Sequence, residues 1–277
     1  MATKAHDATS WIIDQNWLDY SQSEHDIWLR LYDRQFEILK NRACKPFIDG
    51  LHALDLHGKG IPNFTVLNQS LKPLTGWEVV AVPGLVPDIE FFDLLANRRF
   101  PAGQFIRKPN EFDYIEAPDI FHDVYGHVPL LTNPVFADYM EAYGKGGQRA
   151  YGNFDLQQLA RLYWYSVEFG LIRENGEMKI YGAGILSSPA ESVFALESPS
   201  PNRVEFDLQR LMRTNYKIDD FQDIYFVIDD FNELFQATLQ DFAPIYRSLE
   251  TTSVYSPNEL AADDSVVTYG THEYLKM

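Results

Sequence analysis

Pro118-Asp119-Ile120-Phe121-His122-Asp123-Val124-Tyr125-Gly126-His127-Val128-Pro129 gathers two of the chain's seven histidines and two aspartates between two prolines. A second stretch, Tyr163-Trp164-Tyr165-Ser166-Val167-Glu168-Phe169-Gly170, sets a lone carboxylate in an aromatic, apolar run. Burying a carboxylate is costly unless it is paired or bound to a metal. Two imidazoles and one carboxylate drawn to one place are the ligand set of a mononuclear non-haem iron site with open positions. The spacing constrains the local fold. On an α-helix, five steps leave two side chains about 140° apart. His122 and His127 reach one metal only if the second lies past the helix end. Asp119 is positioned to cap the start of that helix, and Gly126 with Pro129 to end it.

The same spacing excludes two neighbouring chemistries. Zinc proteases place His-Glu-x-x-His on one helical face, four residues apart; here the interval is five and Asp123 follows the first histidine. The 2-oxoglutarate oxygenases are expected to use His-x-Asp/Glu on a strand. The bland alternative is that both histidines are hydrogen-bonded structural residues and that Glu168 pairs with Arg107 or Arg161. A zinc hydrolase built on the same His₂Glu set is a further alternative, with Asp123 as its general base. Trp164, four residues before Glu168 and so on its face of an α-helix, would set an aromatic wall beside the metal. Arg107 offers a planar fork for a carboxylate, or a surface ion pair.

Outward from these stretches the chain reads as mostly helical with a few short strands, α+β in the loose sense. Residues 1–20 are expected to be irregular. A helix is expected from Ser23, with Trp28, Leu29, Tyr32, Phe36 and Leu39 at helical spacing, ending by Pro46. Residues 56–64 read as loop and Trp77–Val82 as a strand. Asp88 is expected to cap a helix carrying Phe91 and Phe92, and Gln104–Arg107 to form a second strand. Asn133-Pro134 starts another helix, stopped at Gly144, with Gly144-Lys145-Gly146-Gly147 as a flexible loop. Asp155 opens the helix that carries Tyr163. Asn175-Gly176 marks a hairpin. Gly182 and Gly184 suit either a close ligand or a tight packing crossover. Helices near 189–197 and 203–214, a strand at Ile224–Ile228 and a helix at 229–248 follow. The expectation is a single domain over 1–277, with its core at about 23–250 and a loose tail at 251–277.

With 277 residues the chain can bury a large core, and 14% aromatic content makes that core aromatic-rich. A formal charge of −17 argues against nucleic acid or an anionic membrane as partner. The single cysteine, Cys44, allows no internal disulfide and fits a reducing, cytoplasmic setting. No apolar leader and no run of about 18 apolar residues is present.

The stretches at 118–129 and 163–170, with Tyr181-Gly182-Ala183-Gly184-Ile185-Leu186-Ser187-Ser188, resemble the three core motifs of the aromatic amino acid hydroxylases. The resemblance runs from about Ser23 to about Tyr246. It is closest to bacterial members reduced to the catalytic domain, without the regulatory domain and C-terminal coiled-coil helix of animal members. It implies Fe(II) held by His122, His127 and Glu168, with a tetrahydropterin and O₂ as co-substrates and Tyr163 near the iron. It implies that Arg107, oriented by Asp119, grips the substrate carboxylate, and that Trp164, Gly184 and Ser187 line the amino acid pocket. Phe91 would stack on the pterin, with Val86, Asp123 and the backbone near Ala160 around it. Asp123 stands where animal members carry a glutamate, Ile115 where they carry a threonine, and Pro101 where they carry a histidine. Val227 stands where tyrosine-oxidising relatives carry an aspartate. The implied reaction is para-hydroxylation of L-phenylalanine by a monomer or dimer, with tryptophan or tyrosine hydroxylation as the alternatives.

Overall fold

The computed structural model describes residues 8–276 apart from Lys59 and Glu116. Of the start expected to be irregular, residues 1–7 lie outside the described residues. Residues 8–20 hold two short 3₁₀ turns, Ala8–Trp11 and Trp17–Asp19. The architecture is mainly helical, with seven short strands among the described residues. The chain contacts divide it into two compact units. One takes the residues up to Asp33 and Pro46–Asn153, the other Arg34–Lys45 and the residues from Phe154 onward.

The first unit contains the start of α1 (Gln22–Leu39), α2 (from Pro46 in Lys45–Ala53), α3 (Phe64–Thr75), β1 (Glu78–Ala81), α4 (Asp88–Ala96) and β2 (Arg99–Ala102). A π-helical segment (Phe121–His127), a 3₁₀ turn (Val128–Thr132) and α5 (Pro134–Ala150) complete it. The first helix ends at Leu39, before Pro46 as expected, and Pro46 sits in the first turn of α2, where its missing N–H leaves no bond unmade. Asp88 is the first residue of α4 and makes no side-chain cap; its charge still suits the positive helix end.

The second strand of this unit is not Gln104–Arg107 but Arg99–Ala102, paired parallel with β1 through the α4 crossover. The backbone at 105–107 finds its partners elsewhere: Phe105 C=O accepts from Ile120 N–H, and Arg107 N–H donates to the Asp119 carboxylate. Asn133 caps α5 as expected, accepting from Val135 and Phe136 N–H at 3.1 Å each. The expected stop at Gly144 is overturned, and so is the flexible loop after it: α5 continues through all three glycines to Ala150. A Cβ on Gly144 would collide with the Ala96 backbone and Leu95, and one on Gly147 with the Phe92 ring. These glycines let α4 lie close against α5.

The second unit holds the end of α1, α6 (Leu156–Tyr163), a second π-helical segment (Trp164–Glu168), β3 (Leu171–Glu174), β4 (Glu177–Ile180), α7 (Ala183–Leu186) and α8 (Pro189–Glu197). β5 (Asn202–Glu205), α9 (Leu208–Met212), β6 (Ile224–Ile228), α10 (Phe231–Thr238), α11 (Phe242–Leu249) and β7 (Val266–Thr268) follow. Its sheet has the order β4-β3-β6-β5-β7. The β3–β4 hairpin turns at Asn175 and Gly176, both at positive φ (53° and 85°), the type I′ geometry that Asn-Gly favours.

Three expectations in this unit give way to longer-range forces. The helix expected at 203–214 begins as a strand, because Asn202–Glu205 pairs with buried β6. The helix expected at 229–248 is two helices, capped by Asp230 and Asp241. Pro244 fits only in a first turn, so the helix restarts there. The stretch from 251, expected as a loose tail, carries β7 against β5. Its continuation is pinned by Gly270 N–H on Asn202 Oδ1 at 2.8 Å.

Candidate metal centre

The histidine segment solves its spacing problem differently from the sequence-based expectation. His127 does not lie beyond a helix end. The helix widens into a π-helix over Phe121–His127, whose hydrogen bonds join residues five apart, so residues at that interval share a face. His122 Nε2 and His127 Nε2 come to 3.2 Å of each other with the rings nearly perpendicular at 85°. The opposite face is fixed by aromatic packing. Phe121 and Tyr125 stack at 4.7 Å, Trp28 meets Phe121 edge-on at 5.3 Å, and Tyr32 and Phe47 close on Tyr125 at 5.3 and 5.7 Å. His127 is buried against Phe100, ring centroids 5.0 Å apart, while His122 is half-buried.

Asp119 anchors the entry to this segment. Its carboxylate accepts from His122 N–H at 3.0 Å, from Arg107 N–H at 2.9 Å, and from Arg107 Nε and Nη2 at 2.8 and 2.9 Å. Both side chains are buried. Burial alone would raise the carboxyl pKa; the Arg107 hydrogen bonds and charge, with the two backbone N–H groups, outweigh it and hold Asp119 below the usual range. A guanidinium carries five N–H donors. Asp119 takes one from Nε and one from Nη2, so the Nη1 side of the fork remains for another acceptor.

Glu168 ends the second π-helical segment. It is half-buried rather than buried among its apolar neighbours. Ser166 donates its hydroxyl to Leu162 C=O, one turn back, where α6 passes into the wider turn. Phe169 N–H closes on Trp164 C=O, five residues back, at 2.8 Å. A Cβ on Gly182 would collide with Glu168 C=O and Gly170 N–H. The run Gly182-Ala183-Gly184 is therefore a tight packing crossover under the Glu168 segment.

His122, His127 and Glu168 each offer one ligand atom, and these atoms lie within 4.8 Å of one another. This is the only such group of three or more metal-ligating side chains among the described residues. Two imidazole nitrogens and one carboxylate oxygen suit divalent iron with open coordination positions.

The remaining expected residues are placed as follows. Asp123 is half-buried and accepts from Gly103 N–H, just after β2, at 2.7 Å. Val86 packs on Val82 and Leu94 before α4, and Phe91 is half-buried on α4. Ala160 and Tyr163 are half-buried on α6. Trp164 stacks on Tyr216 at 4.3 Å and donates Nε1–H to Gln222 Oε1 at 3.1 Å. Ser187 is buried after α7, its hydroxyl on Ala183 C=O at 2.8 Å, and Gly184 lies against Phe169 and Glu168. Gln222, Tyr216 and Glu191 support Trp164 and were not legible in the sequence. No spacing rule joins them to it.

The sequence pattern of biopterin-dependent aromatic amino acid hydroxylases matches residues 12–258. The chain is 61% identical over 264 residues to a phenylalanine-4-hydroxylase of Caulobacter vibrioides, covering 95% of this chain and 90% of that one. It is 53% identical to a phenylalanine-4-hydroxylase of Chromobacterium violaceum, covering 96% and 90%. The crystal structure of the Chromobacterium violaceum phenylalanine hydroxylase with oxidised Fe(III) superposes with a TM-score of 0.91 over 95% of this chain and 96% of that one. Its iron- and phenylalanine-bound form superposes at 0.90, with 52% identity over 95% and 96%. The chain belongs to the biopterin-dependent aromatic amino acid hydroxylases.

Proposed function

We propose that this protein is a monooxygenase that hydroxylates L-phenylalanine to L-tyrosine, with O₂ and a tetrahydropterin as co-substrates at a mononuclear Fe(II) site. The observation that carries the reading is the convergence of His122, His127 and Glu168 in a chain so similar to phenylalanine-4-hydroxylases. His122, His127 and Glu168 would hold the iron and leave it open coordination positions. Iron and reduced pterin, when bound there, would supply the electrons that activate O₂.

The protein's share is positioning. Arg107 meets the substrate carboxylate with the part of its fork that Asp119 leaves open, and Asp119 holds the guanidinium in plane. Trp164, Gly184 and Ser187 line the amino acid pocket, and Tyr163 lies close to the metal. Phe91 stacks on the pterin ring, and Val86, Asp123 and the backbone near Ala160 border it. Asp123 already accepts from Gly103 N–H, which suits a positioning group better than the free general base that a zinc hydrolase requires.

Val227 favours phenylalanine over tyrosine. It lies in β6, fully buried, on the same strand face as Tyr225, and offers no partner to a phenolic hydroxyl. Leaving that hydroxyl unpaired costs about 1–3 kcal/mol, roughly ten- to a hundredfold in selectivity. We assign a cytoplasmic setting and a monomeric or dimeric state to the same reading. No helix among the described residues is long and apolar enough to cross a membrane.

The test is protein reconstituted anaerobically with Fe(II), then given a tetrahydropterin, O₂ and each aromatic amino acid, with products read by mass. Tyrosine from phenylalanine is expected as the main product. Equal turnover of tryptophan or tyrosine would overturn the substrate assignment, and no oxygen incorporation at all would overturn the reaction.

A further inference from the structure

Trp164 is fixed in two directions. Stacking on Tyr216, at 16° between ring planes, sets the plane of the indole. The bond from Nε1–H to Gln222 Oε1 sets its rotation within that plane. Phe169 closes on the ring at 4.8 Å.

Gln222 is itself locked. It is 1% exposed. Its Nε2 donates to the carbonyls of Lys217 and Asp220 at 2.8 and 3.2 Å. Its Oε1 accepts from Lys217 N–H at 3.4 Å as well as from Trp164. Turning the amide over would set donors against two N–H groups and an acceptor against two carbonyls, so the network admits one orientation. The backbone beneath is held too. Gln222 N–H donates to Glu191 Oε1 at 3.4 Å, and the same buried carboxylate accepts from the Tyr225 hydroxyl. Lys217 Nζ reaches Asp223 at 3.0 Å and closes the 217–223 loop. A surface loop would not need this many bonds to carry one glutamine.

We infer that Gln222 is a specificity-setting positioning residue, which holds the Trp164 indole as a rigid wall and so limits how large an aromatic side chain the amino acid pocket accepts. The inference rests on Trp164 lining that pocket, as proposed above. Gln222 acts through Trp164 and touches neither substrate nor metal.

The experiment is a double-mutant cycle on the iron-reconstituted enzyme at saturating pterin. Phenylalanine and tryptophan are compared as substrates of wild type, Gln222→Met, Trp164→Phe and the double variant. Gln222→Met should raise the KM for phenylalanine about tenfold, the effect of one buried hydrogen bond, while kcat changes less than about twofold. The ratio of kcat/KM for phenylalanine over tryptophan should fall. In the Trp164→Phe background, which has no indole N–H to hold, the same substitution should change KM and the ratio less than about twofold. An unchanged ratio in Gln222→Met, or an equal change in both backgrounds, overturns the inference. If Trp164→Phe itself leaves KM and the ratio unchanged, the pocket assignment of Trp164 fails first and the inference with it. A change in Trp164→Phe that Gln222→Met does not reproduce overturns the inference alone. Gln222→Asn, one methylene short of the indole and more tolerant of the loop, carries the same expectations should the methionine variant not fold.

Discussion

The segments Phe121–His127 and Trp164–Glu168 both leave α-helical geometry for the wider π turn, yet they are built to opposite plans. The first carries two candidate ligands, His122 and His127, and the five-residue interval between them is the interval of the turn itself. Aromatic stacking behind it and a buried ion pair at its entry hold it rigid. The second carries one candidate ligand, Glu168, so no spacing demands the widening; a hydroxyl on a helix carbonyl and a glycine crossover maintain it. Each segment is also backed by a buried carboxylate, and these differ in kind. Asp119 is paired with a cation. Glu191 has only a phenol and a backbone N–H, and burial raises its pKa to about 7. Irregular helix at a candidate metal site can therefore be stabilised by charge in one place and by shape in another.

The largest effect should come from removing a ligand on either side. Ala in place of His122, His127 or Glu168 should reduce iron binding at least about a hundredfold while leaving far-UV circular dichroism nearly unchanged, since loss of a direct ligand exceeds the 10–100-fold cost of losing an outer partner. Stoichiometric iron in Glu168→Ala would remove the second segment from the site and with it the comparison.

Next in size is Asp119→Asn. Removing one charge of a buried pair costs about 3–5 kcal/mol, read by denaturant unfolding at pH 7. The folded pKa of Asp119 is depressed, so its contribution is present above the unfolded value and lost as pH falls through the folded one. The gap to wild type should close on acidification below about pH 4. Arg107→Lys, which keeps the charge but loses the fork, should raise the KM for phenylalanine more than that for the pterin.

Glu191 should behave with the opposite sign. Burial pushes its folded pKa up to about 7, above the ordinary glutamate value of 4.5, so its contribution is complete below 4.5 and lost as pH rises through 7. Relative to Glu191→Gln, wild type should lose about 2.5 kcal/mol of stability between pH 5 and pH 8. Parallel unfolding curves for the two proteins across that range would show that Glu191 is paired as well as Asp119 is.

The smallest expected effect concerns shape. Gly182→Ala places a methyl group against Glu168 C=O and Gly170 N–H, and should cost about 1–3 kcal/mol with weakened iron binding. Gly50→Ala meets Pro129 C=O just past the histidines; with the ion pair and aromatic stack intact, it should cost stability but leave iron affinity within about threefold. Equal losses of iron affinity in both would mean the two segments are held alike.

What was legible in the sequence was whatever local chemistry decides. Asn133-Pro134 opens α5 and Asn175-Gly176 turns the hairpin because caps and type I′ turns are written in adjacent residues. The candidate ligands His122, His127 and Glu168, which the fold brings together, were legible by residue type alone. The π turns were not, because widening a helix requires no particular residue. β2, β5 and β7 were missed because a short strand is decided by its partner: Asn202–Glu205 is a strand only where β6 lies beside it. The glycines of α5 read as a stop because their purpose, the close approach of α4, lies elsewhere in the chain. Gln222 is 58 residues from the tryptophan it holds, and no periodicity reaches that far.

Asp119 has a consequence for exchange with solvent. Arg107 N–H belongs to no helix or strand, and in most loops such an amide trades its proton for deuterium quickly. Here it points into a carboxylate that is fully buried and already holds the guanidinium of the same residue. The proton can leave only when the ion pair opens, so this loop amide should exchange as slowly as the centre of a packed helix.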